Sequence, residues 1–432
     1  MSGTVHFKFS TVRNLIDQGI LFPPLDGNHG EIHPTTADYV SSGIPFIMAS
    51  DIDNGRIDYV GCKFISRKHA DTLRKGFAKN GDVLLTHKAT IGKTAVVNYA
   101  DEPYVMLTPQ VTYYRVKNPE QLNNLYLRYF FDSSFFQQLL HLWAGSGSTR
   151  AYLGITEQAK LPIVVPPIET QKKIAAILST YDDLIANNQR RITLLERMAE
   201  DIYREWFVRL RFPGHENVKV EKGVPQGWGF VELNELASIN GASLKKGSDT
   251  ARIKYIDISA VSTNYIDDVL EIALADAPGR ARRLVKHGDV IWSSVRPANR
   301  AYCLIYEPPK NLVASTGFAV ISPKQGIPFT FINFAVTSDS FVEQMAMVAK
   351  GSAYPATSFD DFGRAMVLRP SPELLMRFHT QCELMFKRRH QLRNPNAALA
   401  KQRDSLLPRL ISGKLAVDAL DIRFPPRMLA SD

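Results

Sequence analysis

The stretch ETQKKIAAILSTYDDLIANNQRRITLLERMAEDIYREWFVR, from Glu169 to Arg209, decides the fold of this chain. It contains neither proline nor glycine, and its apolar pattern recurs with spacings that alternate between four and three residues. The recurring positions are Ile174, Leu178, Tyr181, Ile185, Asn188, Ile192, Leu195, Ala199, Ile202 and Trp206. This heptad pattern predicts a long coiled-coil helix rather than a surface helix. At about 1.5 Å per residue, roughly 40 residues reach about 60 Å, and Pro213-Gly214 ends the pattern.

A second stretch with a less regular apolar pattern runs from Pro372 to Ile411. Its apolar positions suit a seam that faces the first helix, and they are Leu375, Phe378, Cys382, Met385, Leu392, Leu399, Leu406 and Leu410. Pro395 lies inside this stretch. Because proline lacks an N–H group and its ring clashes with the preceding turn, we expect it to kink or break the helix.

Asparagines occur near the midpoints of both predicted helices, Asn188 in the first and Asn394 and Asn396 in the second. If the two helices run antiparallel, these amides meet, and a buried pair would fix the register at some cost in stability. The alternative is that Asn188 is solvated on a partly open seam. The sequence favours neither alternative.

Short sequence words recur in the same order in the two halves of the chain. Lys79-Asn-Gly-Asp-Val-Leu-Leu-Thr is similar to Lys286-His-Gly-Asp-Val-Ile-Trp-Ser, about 207 residues later. Two further pairs follow, Asp132-Ser-Ser-Phe-Phe-Gln-Gln with Ser338-Asp-Ser-Phe-Val-Glu-Gln, and Gly147-Ser-Thr-Arg-Ala-Tyr with Gly351-Ser-Ala-Tyr-Pro-Ala. Each half then continues into one of the two helical stretches. The shared order predicts an internal duplication with pseudo-twofold character.

Each half is predicted to be a compact domain with both strands and helices. Runs of β-branched and aromatic residues between Gly, Asn and Asp predict short strands, and helical patterns lie near Leu122–Trp143 and Phe329–Ala349. The predicted fold class is α+β, with two similar globular domains separated by two long antiparallel coiled-coil helices. The predicted boundaries are residues 1–168 for the first domain, 169–212 for the first helix, 213–370 for the second domain, 371–415 for the second helix and 416–432 for a C-terminal tail.

Composition and charge restrict the class of protein. The 432 residues carry a net charge of +9, which suits a nucleic-acid binder. Much of this excess of positive charge lies in residues 371–432, so the two domains are nearly neutral. Any binding to DNA phosphates must therefore come from local basic patches or from partner proteins. No apolar run approaches the ~18 residues of a membrane span, and no signal peptide is apparent at the N-terminus, so the expected location is cytoplasmic. The three cysteines form no CxxC or Cys/His cluster, so neither a disulfide framework nor a structural zinc site is indicated.

Four motifs resemble a known family. The run from Leu161 to Ser179, LPIVVPPIETQKKIAAILS, strongly resembles the first conserved region of type I restriction–modification specificity subunits. Its continuation from Tyr203 through Arg211-Phe-Pro-Gly-His resembles that region too, and Arg403-Asp-Ser-Leu-Leu-Pro-Arg-Leu-Ile-Ser-Gly-Lys-Leu is similar to the end of the second. Asp26-Gly-Asn-His-Gly resembles a motif near the start of many target-recognition domains. The opening Pro372-Glu-Leu-Leu-Met departs from the usual one of the second region.

The resemblance implies a division of labour. Each target-recognition domain would read one half of a split, asymmetric sequence in double-stranded DNA, and the two helices would hold the domains apart. The helices would also dock two modification (methyltransferase) subunits, which restriction (translocase-nuclease) subunits then join. Half-sites one duplex turn apart lie about 34 Å from each other, which a helical spacer of the predicted length can span.

In the first domain, two segments are candidates for DNA contacts. The predicted loop from Thr86 to Thr94 follows a strand, and its Lys88, Thr90 and Lys93 suit phosphates or guanine edges. The Gly/Ser-rich loop that follows residue 144 is rich in donors and free of acids. Its candidates are Ser148, Thr149 and Arg150.

In the second domain, the corresponding stretches supply a similar set. Arg296, Asn299 and Arg300 suit guanine and adenine contacts. The remaining candidates are Arg282 and Arg283 in a basic run that suits a DNA backbone, and Lys350, Ser352 and Tyr354 in the second Gly/Ser loop. For each residue the alternative is an ordinary solvated surface loop, and the duplicated position of the loops favours DNA.

The sequence gives no support for catalysis. Gly92-Lys-Thr is not a phosphate-binding loop, because His87 stands where that loop needs a glycine. Asn394-Pro-Asn lacks the second proline and the aromatic residue of an adenine-methyltransferase motif. We therefore expect no enzyme, cofactor or metal, and predict a DNA-recognition subunit. A self-contained enzyme lacks the motifs it needs, and a purely structural coiled-coil protein leaves the duplicated polar loops unexplained. A scaffold or DNA-binding protein outside restriction–modification is the alternative.

Overall fold

The computed structural model describes residues 9–145, 151–221, 223–245, 251–351, 355–425 and 428. The chain forms two compact units. The first contains residues 1–187 and 396–432, and the second contains residues 188–395. Each unit therefore combines one domain with part of each of the two long helices.

The first unit is built from short strands and helices. Its strands are β1 (Phe9–Thr11), β2 (Leu25–Asp26), β3 (Tyr39–Val40), β4 (Ile44–Ile47), β5 (Ile52–Asp53), β6 (Arg56–Ile57), β7 (Lys63–Ile65), β8 (Phe77–Ala78), β9 (Val83–Lys88), β10 (Thr90–Val96), β11 (Val105–Leu107), β12 (Val111–Tyr114) and β13 (Pro162–Val164). Its helices are α1 (Val12–Asp17), α2 (Arg67–Ala70), α3 (Asn124–Asp132), α4 (Ser134–Trp143), α5 (Ile155–Gln158) and the beginning of α6 (Ile168–Tyr203).

The second unit repeats the same kinds of element. Its strands are β14 (Val220–Glu221), β15 (Val224–Pro225), β16 (Gly229–Glu232), β17 (Ala237–Ile239), β18 (Arg252–Ile256), β19 (Val261–Ser262), β20 (Tyr265–Ile266), β21 (Leu270–Ala273), β22 (Ala281–Leu284), β23 (Val290–Ser293), β24 (Tyr302–Leu304), β25 (Leu312–Ser315), β26 (Phe318–Pro323) and β27 (Met366–Arg369). Its helices are α7 (Leu233–Leu236), α8 (Phe329–Thr337), α9 (Asp339–Val348), α10 (Phe359–Arg364) and α11 (Pro372–Ile411), whose last part lies in the first unit.

The sheet topology confirms the predicted duplication. A four-stranded antiparallel sheet has the order β10-β9-β12-β2 in the first unit and β24-β23-β26-β17 in the second. A mixed sheet carries one parallel pair in each unit, β4 with β11 and β18 with β25. The two-stranded ladders β1·β13 and β16·β27 and the helix pairs α3–α4 and α8–α9 also correspond. The fold class is α+β, as predicted.

The repeated Lys-x-Gly-Asp word has a local physical cause. Gly81 and Gly288 have φ of 85° and 86°, in the left-handed region that favours glycine. The carboxylates of Asp82 and Asp289 accept the backbone N–H of the lysine three residues earlier, at 2.7 and 2.8 Å. Each word is thus a self-bonded turn that feeds a buried central strand, β9 or β23.

Each predicted helical stretch of the domains is in fact two helices. Ser133 and Ser338 stand between them, and each hydroxyl accepts the N–H of the phenylalanine three residues later at 3.3 Å. A serine in the extended conformation that caps the next helix ends the previous one. The capped phenylalanines, Phe136 and Phe341, are buried in the cores of their units.

The long helices α6 and α11 run antiparallel in each unit. In the first unit Asp182 contacts Arg403 at 2.6 Å, and the amide of Asn396 donates to the carbonyl of Ile185 at 3.2 Å. In the second unit the ring centroids of Tyr203 and Phe378 lie 6.1 Å apart, and Glu196 contacts residues farther along α11. The seam positions predicted from the heptads are buried or half-buried, so the coiled-coil interpretation is confirmed.

One detail of the helices differs from expectation. Helix α11 is continuous through Pro395, so of the expected kink or break the break does not occur. Packing on both sides of the proline holds the helix, since Arg393 contacts Glu196 in the second unit and Asn396 contacts Ile185 in the first. Asn394 is exposed, whereas Asn188 and Asn396 are both half-buried.

The core of each unit is aromatic. In the first unit Phe131 and Phe136 stack with ring centroids 4.5 Å apart. In the second unit Trp292 is fully buried and donates its indole N–H to the carbonyl of Val336 at 3.0 Å. The three cysteines are buried free thiols, as expected. Among the described residues, no helix is long and apolar enough to cross a membrane.

Candidate nucleic-acid interface

The stretch from Thr86 to Thr94 is a β-hairpin, not the predicted loop. Strand β9 continues to Lys88 and β10 begins at Thr90, so the turn between them consists of Ala89 alone. The loop prediction failed because the polar residues of this stretch pair across two strands, which a local composition signal does not reveal. Lys88 and Thr90 are exposed at the tip of the hairpin. Lys93, farther along β10, is half-buried, with its Nζ 3.9 Å from a carboxylate oxygen of Asp53.

The hairpin tip is fastened to the segment that follows the first Gly/Ser loop. The N–H of Ala89 donates to the carbonyl of Ala151 at 3.1 Å, and the N–H of Leu153 donates to the carbonyl of His87 at 3.0 Å. The N–H of Tyr152 donates to Ala144, at the other end of the loop, at 3.2 Å. Both ends of the Gly/Ser loop therefore meet at the hairpin tip. Ser148, Thr149 and Arg150 lie outside the described residues.

The second unit has the same backbone arrangement at its corresponding turn. The N–H of Arg296 donates to the carbonyl of Pro355 at 2.7 Å, and the N–H of Thr357 donates to the carbonyl of Ser294 at 2.8 Å. Lys350 pairs with Ala356 through two hydrogen bonds of 2.9 Å, which fixes both sides of the second Gly/Ser loop. Ser352 and Tyr354 lie outside the described residues.

The predicted residues of this second turn differ in their surroundings. Arg296 and Asn299 are exposed. Arg300 is half-buried, and its guanidinium forms an ion pair of 2.6 Å with Asp339 at the start of α9. The turn from Ser294 to Ala301 is a true loop with one short 3₁₀ turn, Pro297–Asn299, as the sequence predicted.

The basic run that includes Arg282 and Arg283 lies on β22. Arg283 is half-buried, with its guanidinium 5.0 Å from the centre of the Phe359 ring, and burial lowers its pKa. Arg282 donates from Nε to the carbonyl of Gly279 at 3.2 Å. Phe359 lies two residues after Thr357, which holds the turn through its hydrogen bond to Ser294.

Sequence reasoning missed two residues at the first hairpin. His87 is buried, its Nδ1 donates to the carbonyl of Leu153 at 3.0 Å, and burial lowers its pKa, so the ring is neutral at neutral pH. Tyr152 is about half exposed, with its ring 5.7 Å from that of His87 and 6.0 Å from the Nζ of Lys88. The repeated word that ends in Tyr152 was the available signal. Nothing in the sequence predicts that His87 is buried.

The Asp26-Gly-Asn-His-Gly motif forms a locked loop after β2. The buried Asp26 carboxylate forms an ion pair with Lys75 and a hydrogen bond of 2.8 Å with the Nε2 of His29. Burial alone would raise the pKa of Asp26, but Lys75 and His29 outweigh it and lower the pKa. A Cβ on Gly27 would lie 1.9 Å from the carbonyl oxygen of Leu107, so only glycine fits there. The motif thus fixes its loop against β11.

Comparisons with known proteins agree with the architecture. Residues 26–197 match the family described as Type I restriction modification DNA specificity domain. The chain is 24% identical over 402 residues to the type I restriction enzyme MjaIX specificity subunit of Methanocaldococcus jannaschii, and the match covers 89% of each chain. A shorter match to the type I restriction enzyme HindI specificity subunit of Haemophilus influenzae is 31% identical over 101 residues, which is 23% of this chain and 22% of the relative.

The chain is similar to type I restriction–modification specificity subunits over most of its length. The crystal structure of the type I restriction–modification S subunit from M. genitalium shares the fold, with a TM-score of 0.59 at 16% identity over 95% of this chain and 97% of that chain. Specificity subunits are non-catalytic members of their complexes. Among the described residues of this chain, no group of three or more His, Cys, Asp or Glu side chains is placed to hold a metal ion.

A buried ionic cluster joins the domain of the first unit to both long helices. The carboxylate of Asp182 on α6 accepts from Arg128 at 2.7 Å, from Tyr129 at 2.6 Å and from Arg403 on α11 at 2.6 Å. Arg128 also contacts Asp132 at 2.8 Å. Burial alone would raise the pKa of Asp182, but the positive charge of Arg128 and the hydrogen bonds that Asp182 accepts lower it. The cluster holds the domain at a fixed place on its helices.

Proposed function

We propose that this specificity subunit recognises a split, asymmetric sequence in double-stranded DNA, with each unit binding one half-site. The observation that carries the proposal is the duplicated backbone at the two candidate interfaces. In both units a strand end, one left-handed residue and the segment after a Gly/Ser loop are joined by equivalent hydrogen bonds. The side chains on this shared backbone differ, and a shared frame with different side chains suits two different half-sites.

The side chains presented at the two turns suit DNA chemically. The first hairpin exposes the ammonium of Lys88 and the hydroxyl of Thr90, which suit phosphate oxygens and base acceptors. The second turn exposes Arg296 and Asn299, the residue types that bind guanine and adenine edges with two hydrogen bonds each. These are the proposed roles of the candidate residues, and substitution of each residue tests its role.

We further propose that the long helices dock methyltransferase subunits, two per complex, which restriction subunits then join. Specificity subunits of type I systems bind DNA and partner with methyltransferase and restriction subunits. Support comes from large apolar side chains that stay exposed on the two helices, among them Leu194 and Met198 on α6 and Leu384 on α11. Leu384, at 71%, is the most exposed of these three side chains. The cytoplasm, where such a complex meets DNA, is the proposed location.

Methylation-sensitive sequencing of host DNA tests the proposal. Cells that contain the neighbouring methyltransferase subunit are compared with and without this chain. A split motif of methylated adenines that appears only with the chain supports the function and reveals both half-sites. If no motif appears although the complex is assembled, the alternative of a scaffold or DNA-binding protein outside restriction–modification is favoured.

Variants assign the half-sites to the units. Lys88→Ala with Thr90→Ala is expected to weaken recognition through the first unit, and Asn299→Ala through the second. Lys68→Ala on α2 and Lys310→Ala are matched controls, because both side chains are exposed and neither lies in a candidate turn. If a control variant changes the motif as much as the turn variants do, the turns are not the reading elements.

A further inference from the structure

The two units share one strained backbone position. Ala89 has φ of 64° and Arg296 has φ of 50°, both in the left-handed region that residues other than glycine rarely adopt. The two residues are equivalent in their hydrogen bonds: Ala89 comes one residue after the end of β9 and Arg296 three residues after the end of β23, and each donates its N–H to the first described residue after the Gly/Ser loop. Duplication has therefore kept an unfavourable conformation while changing the residue that adopts it.

The surrounding structure imposes this conformation in the same way in both units. The residue before it forms a bridge with the post-loop segment, Lys88 with Tyr152 and Val295 with Ala356. The residue two positions before it accepts a further N–H, at 3.0 Å in the first unit and 2.8 Å in the second. Strain that is held by bonds on both sides is typical of functional sites, where it aims a side chain.

The side chains at this position differ in their chemistry and are both exposed. Ala89 presents a methyl group, which suits contact with the methyl group of thymine. Arg296 presents a guanidinium, which suits the N7 and O6 acceptors of guanine. A common backbone that presents a methyl group in one unit and a guanidinium in the other is an interchangeable reading position.

We infer that this left-handed position determines specificity: Arg296 reads a guanine in the half-site of the second unit, and Ala89 sets the corresponding base preference of the first. The inference rests on the proposed DNA-recognition function and adds to it the position and the base class. Because the backbone conformation is shared, the side chain alone changes the base that is read.

The test uses the assembled complex of this chain with its methyltransferase subunit. Duplexes that carry the wild-type motif, randomised at one position at a time, are used as substrates for Arg296→Ala, Arg296→Gly, Arg296→Lys and Ala89→Arg. Glycine tolerates positive φ better than alanine, so Arg296→Gly removes the side chain without adding strain. Agreement between the glycine and alanine variants separates loss of reading from loss of folding.

The expected result is position-specific. Removing Arg296 should reduce discrimination at one G·C position by about 10-fold or more, since a bidentate arginine–guanine contact contributes that much. That position should lie in the half-site not affected by Lys88→Ala. Arg296→Lys should restore little, because lysine lacks the planar fork. Ala89→Arg should change preference at one position of the other half-site.

Several outcomes would overturn the inference. Equal weakening on all sequences, with rescue by Arg296→Lys, identifies a phosphate contact instead. An unchanged wild-type motif with Arg296→Ala overturns the inference but leaves the proposed function intact. Absence of any motif with the wild-type chain overturns both. An Ala89→Arg effect spread over both half-sites also counts against a reading position in the first unit.

Discussion

Replacing Asp182 with Asn is expected to destabilise the first unit more than any other single change of charge in its long helices. The carboxylate is about 10% exposed and accepts hydrogen bonds from two arginines and one tyrosine. Arg128, one of the donors, is 7% exposed. The amide of asparagine carries no charge and presents an NH₂ group to donors, so it leaves a buried guanidinium short of a partner.

The magnitude follows from the loss of one member of a buried ionic cluster. Removing one partner of a buried pair costs about 3–5 kcal/mol. Arg128 keeps its contact with Asp132 and Arg403 keeps its contact with Asp404. We therefore expect the lower end of that range, about 3 kcal/mol, which is roughly a 150-fold change in an equilibrium constant.

Hydrogen exchange followed by mass spectrometry measures this effect locally. In a chain of two compact units a single unfolding midpoint is a poor measure, whereas exchange in peptides from α3 and from the first part of α6 reports on the cluster directly. Exchange there should accelerate by about 100-fold or more in Asp182→Asn, while peptides of the second unit should change little.

The matched control is Asp183→Asn, one residue along the same helix. Asp183 lies 3.8 Å from the guanidinium of Arg56, and both side chains are about half exposed. An exposed pair of this kind contributes about 0–1 kcal/mol. If Asp182→Asn accelerates exchange no more than Asp183→Asn does, the cluster does not hold the domain on its helices and the reasoning is refuted.

Three further predictions concern pH and the long helices. The pKa of Asp182 lies below its ordinary value of 3.8, so its contribution is complete above that value and is lost as the pH falls through the folded-state pKa. The stability difference between wild type and Asp182→Asn, measured at each pH by hydrogen exchange in peptides of α3, should be constant from about pH 8 to 5 and shrink in stronger acid. A difference that grows on acidification contradicts the sign. Pro395→Ala should increase the free energy of unfolding by up to about 3 kcal/mol, because α11 is continuous there. The thermal midpoint of unfolding should rise accordingly, and a lower midpoint would show that the proline is needed. Asn188→Leu should stabilise the chain but loosen the helix register, and a clear loss of stability by calorimetry would count against the register role.

Much of the architecture is predictable because its signals are local or repeated. The four–three spacing of apolar residues places Ile174, Leu178 and Ile192 on one face of a helix, and all three are buried. The repeated Lys-x-Gly-Asp word forms the same turn twice, since its hydrogen bond lies within four residues. The expected duplication, the α+β domains and the paired helices follow from such patterns.

The surroundings of the candidate residues are less predictable, because their partners are distant in sequence. The sequence does not distinguish Arg300 from Arg283. In the structure Arg300 forms an ion pair with Asp339, whereas Arg283 stacks on Phe359. His87 stands in an apparently polar stretch but is buried, and its Nδ1 donates to the carbonyl of Leu153, 66 residues away. Composition alone does not predict these contacts.

The sequence by itself determined the two long helices and the duplicated domains, because apolar periodicity and repeated words can be identified from the order of the residues alone. Only the tertiary structure decided that Pro395 stays within a helix, that residues 86–94 form a hairpin, and that Ala89 and Arg296 occupy one equivalent left-handed position. The physical reason is common to all three. Each is imposed by packing or hydrogen bonds from residues far along the chain, which outweigh the local preference of the residue itself.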